Sequence, residues 1–301
     1  YIGFRNANNL SYLFINKSIQ HFWARILFRK PFKINTRKFD VFIQQHIDPI
    51  RVAKTTHHIV RLHDILPITN PQYFDDLAVN AFSRGLRTLL KNPETIWIMD
   101  SLQASQEFKE IFGYDLKVKH IACAIRDKFL TINLDKVQKK KQIVCISTLE
   151  PRKRIDLVLE AFESIQSNHE LDGWKLIIIG GKGWQTENLY NRLKLQNRNE
   201  NISYIEKPSD QEIQKILGES FIFISASAAE GFGLPPLEAL AMNCEVIVSD
   251  IPQHRETLAN FATYFSSTAV DLARKIMEVI KCLDSNQNFS LEQKRNYLKA
   301  N

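Results

Sequence analysis

The sequence predicts an α/β fold of doubly wound parallel sheets. Short apolar runs alternate with amphipathic helical patterns through the second half of the chain, helix-boundary signals fall between them, and a charged stretch separates that half from a less regular first half. Strands joined by crossover helices produce this alternation, because a parallel pair needs a connection long enough to hold a helix.

In the second half, strands are expected at 143–149, 174–179, 202–205, 221–225 and 246–249, and helices at 155–166, 187–194, 210–217, 237–242 and 269–283. Ser209 and Glu212 have the spacing of a capping box. Pro235 and Pro236 suit a helix start, and Asn243 can adopt the left-handed conformation that stops one. Residues 136–142, K-V-Q-K-K-K-Q, read as an interdomain connection, giving domains of 1–137 and 138–301. In the first half, 41–44, 59–62 and 95–99 read as strands, and 74–90 and 103–112 as helices. That half is short of strands at its start and begins without Met, so an incomplete N-terminal domain is expected.

At 301 residues, with 44% apolar and 24% charged side chains, the chain can fill two ordinary cores. No apolar run is long enough to span a bilayer, and the opening residues lack the pattern of a signal peptide. Cys123, Cys145, Cys244 and Cys282 are scattered, which argues against a disulfide framework or zinc site and for a reducing compartment such as the cytoplasm. Cys145 and Cys244 adjoin or enter apolar runs and are expected as buried free thiols. The net charge of +7 is uneven, since residues 1–60 carry ten Lys or Arg against two Asp. The basic residues within 17–38 mix with Phe22, Trp23, Ile26, Leu27, Phe28 and Phe32. Two readings stand for that stretch: a helix lying on an anionic membrane surface, or a solvated face over an ordinary core stripe. No nucleic-acid module accompanies the charge, so no nucleic-acid partner is expected.

Open α/β sheets bind ligands beyond the carboxyl ends of their strands, so the segment after each strand is the place to look. After 221–225 comes Glu230-Gly231-Phe232-Gly233-Leu234, then Pro235-Pro236 and Glu238. Glycines permit close backbone approach, and the N-terminus of the next helix suits a phosphate or a sugar hydroxyl. Glu238 is expected in the first turn of that helix, near the mouth that Glu230 faces. On these grounds alone Glu230 and Glu238 are either ligand-binding carboxylates or a loop residue and a favourable helix-start charge. After 143–149 comes Ser147-Thr148-Leu149-Glu150-Pro151-Arg152-Lys153-Arg154, where Arg152 and Lys153 could clamp a diphosphate or simply face solvent. After 174–179 comes the turn Gly180-Gly181-Lys182-Gly183-Trp184, and after 59–62 the loop His63-Asp64-Ile65-Leu66-Pro67. His57 and His58 read as satisfied strand histidines.

At these residues the chain resembles the family-four retaining glycosyltransferases of GT-B fold. The two glutamates separated by the seven residues G-F-G-L-P-P-L look like that family's hallmark, E-P-R-K-R like its phosphate-binding turn with Ser147-Thr148 in place of the usual Gly-Arg, and H-D-I-L-P like its acceptor-side histidine loop. The resemblance implies two Rossmann-like domains facing across a cleft. It also implies that Glu230 contacts the transferred sugar, that Gly231, Phe232, Gly233 and Leu234 line it, and that Glu238 binds the ribose. Lys153 and Arg152 would hold the diphosphate, Thr148, Gly181, Gly183 and Trp184 would border the nucleotide, and His63 would face the sugar with Asp64 positioning it. The implied activity moves a hexose, with GDP-mannose the favoured nucleotide sugar, to a glycan or lipid-linked glycan at the cytoplasmic membrane face. No D-x-D occurs, so no metal or other cofactor is expected. The alternatives are a non-catalytic sugar-nucleotide-binding protein or a sugar-nucleotide epimerase of the same fold. A nicotinamide dehydrogenase is excluded, because no G-x-G-x-x-G follows a strand.

Overall fold

Parallel pairing dominates both halves of the chain, as the alternation of runs and helices requires. The structure is a computed structural model that describes residues 2–7, 10–15, 32–196, 200–283 and 289–300. It divides into two compact units, 1–122 and 123–301. Most of the basic stretch 17–38 lies outside the described residues.

In the first unit, β1 (Ile2–Ala7) and β2 (Leu10–Ile15) form an antiparallel pair, and β3 (Phe32–Lys33) runs parallel to a short β5 (Ile50–Arg51). The main sheet joins β4 (Val41–Gln44), β6 (His57–Leu62), β7 (Ile96–Met99) and β8 (Lys117–His120) in that order, all parallel. Helices α1 (Leu66–Thr69), α2 (Asp76–Leu89) and α3 (Leu102–Phe112) follow its strands. Asp75 caps α2 and Ser101 caps α3, each accepting a bond from an amide in the first turn. Burial alternates along β6 and β7. Val60, Leu62, Trp97 and Met99 pack with Leu86 and Leu89 of α2 and Ala104 and Phe108 of α3, which gives one covered face. His58 is buried on that face, its Nε2 3.1 Å from Gln44 Oε1, whereas His57 is exposed.

In the second unit, α4 (Asp127–Leu130) precedes β9 (Lys140–Ile146), α5 (Ile155–Ile165), β10 (Lys175–Ile179), α6 (Glu187–Gln196), β11 (Ile202–Ile205) and α7 (Asp210–Glu219). Then come β12 (Ser220–Ser225), α8 (Leu234–Ala241), β13 (Glu245–Ser249), α9 (Pro252–Leu258), β14 (Ala262–Phe265), α10 (Ala269–Leu283) and α11 (Leu291–Ala300). The six strands are parallel in the order β11-β10-β9-β12-β13-β14. Their central residues are buried in continuous runs because helices cover both faces, α5 and α10 on one and α8 on the other. Cys145 and Cys244 are buried free thiols, as expected, while Cys282 is exposed. Lys294 of α11 is also buried, and its ammonium donates to Asn243 Oδ1, the Cys244 carbonyl and Glu245 Oε1 at 3.3, 3.2 and 2.6 Å.

Several sequence expectations shift. Lys140–Gln142 belong to β9 rather than to a connection, and that strand ends at Ile146, which frees 147–149 for a turn. The segment from Cys123 packs with the second unit, where Phe129 is fully buried in its core. The capping box at Ser209 and Glu212 and the left-handed Asn243 are as expected. Helix α8 starts at Leu234, so Glu238 sits beyond its first turn, against expectation. The order of the sheet reverses between β9 and β12, because the chain winds outward to β11 and then returns to the centre. The carboxyl ends of those two strands flank the crevice where ligands bind in such sheets.

Candidate active site

Three loops meet at that crevice, and backbone bonds stitch them together. The Ser147 amide donates to the Ile179 carbonyl and the Leu149 amide to the Gly181 carbonyl, both at 2.9 Å. The Ala228 amide donates to the Arg152 carbonyl at 2.8 Å. Gly183 runs so close to Leu149 that a Cβ there would lie 2.0 Å from the Leu149 carbonyl oxygen. Glycine is required at that approach.

The charged groups converge inside this frame. Glu230 is buried after β12, and Lys153 Nζ donates to its Oε1 at 2.5 Å while Arg152 Nη1 donates to its Oε2 at 2.9 Å. Arg152 also donates to the Ala229 carbonyl at 2.6 Å and to Glu150 Oε2 at 3.2 Å. Burial would raise the Glu230 carboxyl, but Lys153 and Arg152, with a bond from Ser227, outweigh it and hold the group down to about 2. Burial pushes Glu150 the other way, above the ordinary carboxylate value. The result is a carboxylate kept ionised in a low-dielectric recess, with two cations placed beside it.

Gly231 and Phe232 are half-buried and Gly233 is buried at the N-cap of α8, where its φ of 88° is left-handed. Leu234 opens the helix. Glu238 is buried too, and its Oε1 accepts from Arg126 Nε at 2.9 Å. That bond, opposed by partial burial, raises the guanidinium's pKa above its ordinary value. The turn around Gly181, Gly183 and half-buried Trp184 abuts the Glu150–Arg152 segment, and Thr148 is exposed beside it. A cavity of about 690 Å³, lined by Glu150, Asp156, Thr186, Glu187 and Arg192 among others, shares Glu150 with the ion cluster but includes none of the residues singled out from the sequence.

His63 belongs to the first unit and follows β6. Its Nδ1 donates to Asp100, a buried carboxylate that also accepts from Arg61 Nε at 3.0 Å. Asp64, the neighbour expected to position it, accepts instead from the Leu66 amide at 3.0 Å. The structure thus brings Glu230, Lys153 and Arg152 together and places Glu238 with Arg126.

Sequence reasoning missed Glu150, Ser227, Arg126, Asp100 and His254. His254 lies wholly buried beneath Gly233, with Nδ1 donating to the Ser249 carbonyl at 2.9 Å and Nε2 lacking a hydrogen-bond partner among the described residues. Burial lowers its pKa. Pro252, which opens α9, was the available signal for that helix.

Comparison with known proteins follows the same residues. Residues 128–296 match the family described as glycosyl transferases group 1. The chain is 27% identical over 263 residues to the serotype-specific mannosyltransferase WbdA of Escherichia coli, covering 80% of this chain and 32% of that protein. It is 26% identical over 226 residues to the O-antigen chain mannosyltransferase RfbU of Salmonella typhimurium, covering 71% and 60% respectively. The chain therefore spans about a third of the first relative's length and three fifths of the second's. Among solved structures, WaaG, a glycosyltransferase involved in lipopolysaccharide biosynthesis, superposes with a TM-score of 0.67 at 12% identity, over 88% of this chain and 75% of that one. The fold is shared with that protein.

Proposed function

The chain belongs to the group 1 glycosyl transferases, and from that premise we propose that it transfers a hexose, mannose first, from a nucleotide sugar to a glycan or lipid-linked glycan with retention of configuration. The observation that carries the reading is the ionised, buried Glu230 held by Lys153 and Arg152 at the switch point of the second sheet. Mannose and the surface-polysaccharide setting are supported by the names of the relatives.

In this reading the diphosphate takes over Lys153 and Arg152, while the amides of 231–233 and the N-terminus of α8 receive the rest of the charge. Charge develops on the leaving phosphate as the bond to the sugar breaks, so fixed cations there stabilise the transition state more than the ground state. Glu230, released from its cations, accepts bonds from sugar hydroxyls. In this reading it positions the sugar rather than attacking it, its oxygens passing from the two cations to the sugar hydroxyls. Glu238 binds the ribose and His63 faces the sugar. With the diphosphate neutralised by side chains, the reaction proceeds without a metal or other cofactor. The enzyme works at the cytoplasmic membrane face, which residues 17–38 contact peripherally. Among the described residues no helix is long and apolar enough to cross a membrane.

The test is binding of GDP-, UDP- and ADP-sugars to this chain, followed by transfer to a lipid-linked glycan and assignment of the product anomer, with and without EDTA. Transfer from GDP-mannose with retention and no loss in EDTA is expected. An inverted product would overturn the retaining mechanism, and loss of turnover on chelation would overturn metal independence.

A further inference from the structure

Adjacent strands in the first sheet bring together two residues far apart in the chain. The parallel register pairs Leu62 with Met99, so the residues that follow, His63 and Asp100, emerge side by side at the carboxyl edge of β6 and β7. Asp100 is only 2% exposed and immediately precedes Ser101, the N-cap of α3. A helix N-terminus favours an anion there, and Arg61 Nε supplies a counter-charge to Oδ1. The other oxygen, Oδ2, faces His63 Nδ1. An ionised carboxylate can only accept, so the proton of that bond sits on Nδ1. In the neutral ring the lone pair then lies on Nε2, because the bond made by one ring nitrogen decides the state of the other. The imidazole is about half exposed, at 54%, and its Nε2 has no hydrogen-bond partner among the described residues.

We propose that Asp100 is a positioning residue that fixes the tautomer and direction of His63, so that Nε2 is presented as an acceptor to a hydroxyl of the sugar ligand. The identity of the ligand rests on the glycosyltransferase reading; the orientation of the ring rests on the register and the buried carboxylate alone. Asp64 Oδ1, by contrast, is turned to the Leu66 amide.

The experiment uses the whole chain labelled with 15N-histidine, with the His63 signals assigned by their loss in His63→Ala. At about pH 8, above the ordinary histidine value, long-range 1H–15N spectra report which nitrogen carries the proton. Wild type should show the Nδ1–H form. Asp100→Asn, whose amide can donate to Nδ1, should shift His63 toward the Nε2–H form. It should also lower kcat about 10²-fold, the scale of a misplaced contact group, with KM for the nucleotide sugar within about twofold. In the His63→Ala background the same change should add little further loss.

A wild-type Nε2–H ring would overturn the proposal even if the variant failed to fold. So would an unchanged tautomer in a folded Asp100→Asn, or an equal loss of kcat with and without His63. An absence of sugar transfer by the wild-type chain would sink the functional reading and with it the named ligand, while the spectra would still decide the orientation of the ring.

Discussion

The two sheets solve the same packing problem differently. In the first unit, burial alternates along β6 and β7, and among the described residues helices α2 and α3 cover one face. In the second unit, strands such as Lys175–Ile179 and Glu245–Ser249 are buried on consecutive residues, with helices packed on both faces. A sheet covered twice has no wet face, so its charged groups gather at the strand ends, where Glu230, Arg152 and Lys153 meet. A sheet covered once tolerates Arg61 on a strand, with its guanidinium reaching Asp100 at the edge. The second unit therefore holds a locked ion cluster, the first a half-exposed imidazole, His63, bonded to a buried carboxylate at the sheet edge.

The sharpest way to break that contrast is to discharge the cluster. Glu230→Gln keeps the shape but removes the carboxylate that Arg152 and Lys153 share. Sugar transfer should fall by about 10²–10³-fold, the scale for losing one preorganised electrostatic group. Turnover at the wild-type rate would remove Glu230 from the site. The alanine variant is a poorer probe, because it also leaves a cavity and removes the side-chain oxygen that glutamine still offers to Arg152 or Lys153.

Acid should then separate the units. Glu230 is held at about 2 against an ordinary 4.5, so below 4.5 the unfolded chain takes up a proton that the folded chain refuses. Its contribution, about 3 kcal/mol, is present above that value and lost as the pH falls toward 2. Burial holds His58 at about 4 against an ordinary 6.5. Between 6.5 and 4 the unfolded chain again binds the extra proton, so the first unit loses about 3 kcal/mol across that higher window. Denaturant unfolding at stepped pH should show the first unit softening before the second. His58→Gln should flatten the upper window and Glu230→Gln the lower. Coincident acid transitions in the wild type would contradict both assignments.

A smaller effect distinguishes two matched glycines. A Cβ on Gly85 would lie 2.1 Å from the Ile47 carbonyl oxygen, and one on Gly183 2.0 Å from that of Leu149. Each alanine variant should cost about 1–3 kcal/mol by overpacking. Only Gly183→Ala should weaken nucleotide-sugar binding in the fraction that remains folded, as titration calorimetry would read. Equal binding losses in both would mean that the turn is not part of the site.

The smallest perturbation is thiol labelling. All four cysteines belong to the second unit. Cys282 should react at once, while burial pushes Cys145 up to about 12 and should protect it until the unit unfolds. Rapid labelling of Cys145 under native conditions would show that the core opens locally.

The same contrast explains what could be read before folding. Continuous runs such as Ile202–Ile205 announced themselves, and the match with the observed strand is complete. Lys117–His120 did not, since an edge strand carrying two lysines and a histidine has no apolar pattern. Local motifs located Glu230, Arg152 and Lys153, and chain geometry brought them within bonding distance. Arg126 and Glu238 are separated by more than a hundred residues, and Asp100 meets His63 only through strand register. No local spacing encodes such pairs. The apolar pattern predicts a helix over 237–242, whereas the helix begins at Leu234 with Pro235 and Pro236 in its first turn behind Gly233, which carries Glu238 past that turn.

The two carboxylates and two cations around Arg152 sum to no net charge when all are ionised, with Arg152 paired to both Glu150 and Glu230 and Lys153 to Glu230. Such a recess behaves as an ion exchanger rather than as an anion trap. On the proposed reading, an incoming diphosphate displaces Glu230 from its cations, and the exchange is favourable when the displaced carboxylate finds new partners on the same ligand. A small anion supplies fewer of them than a sugar does. Inorganic phosphate should therefore be a weak competitor, and a nucleoside diphosphate without its sugar an incomplete one.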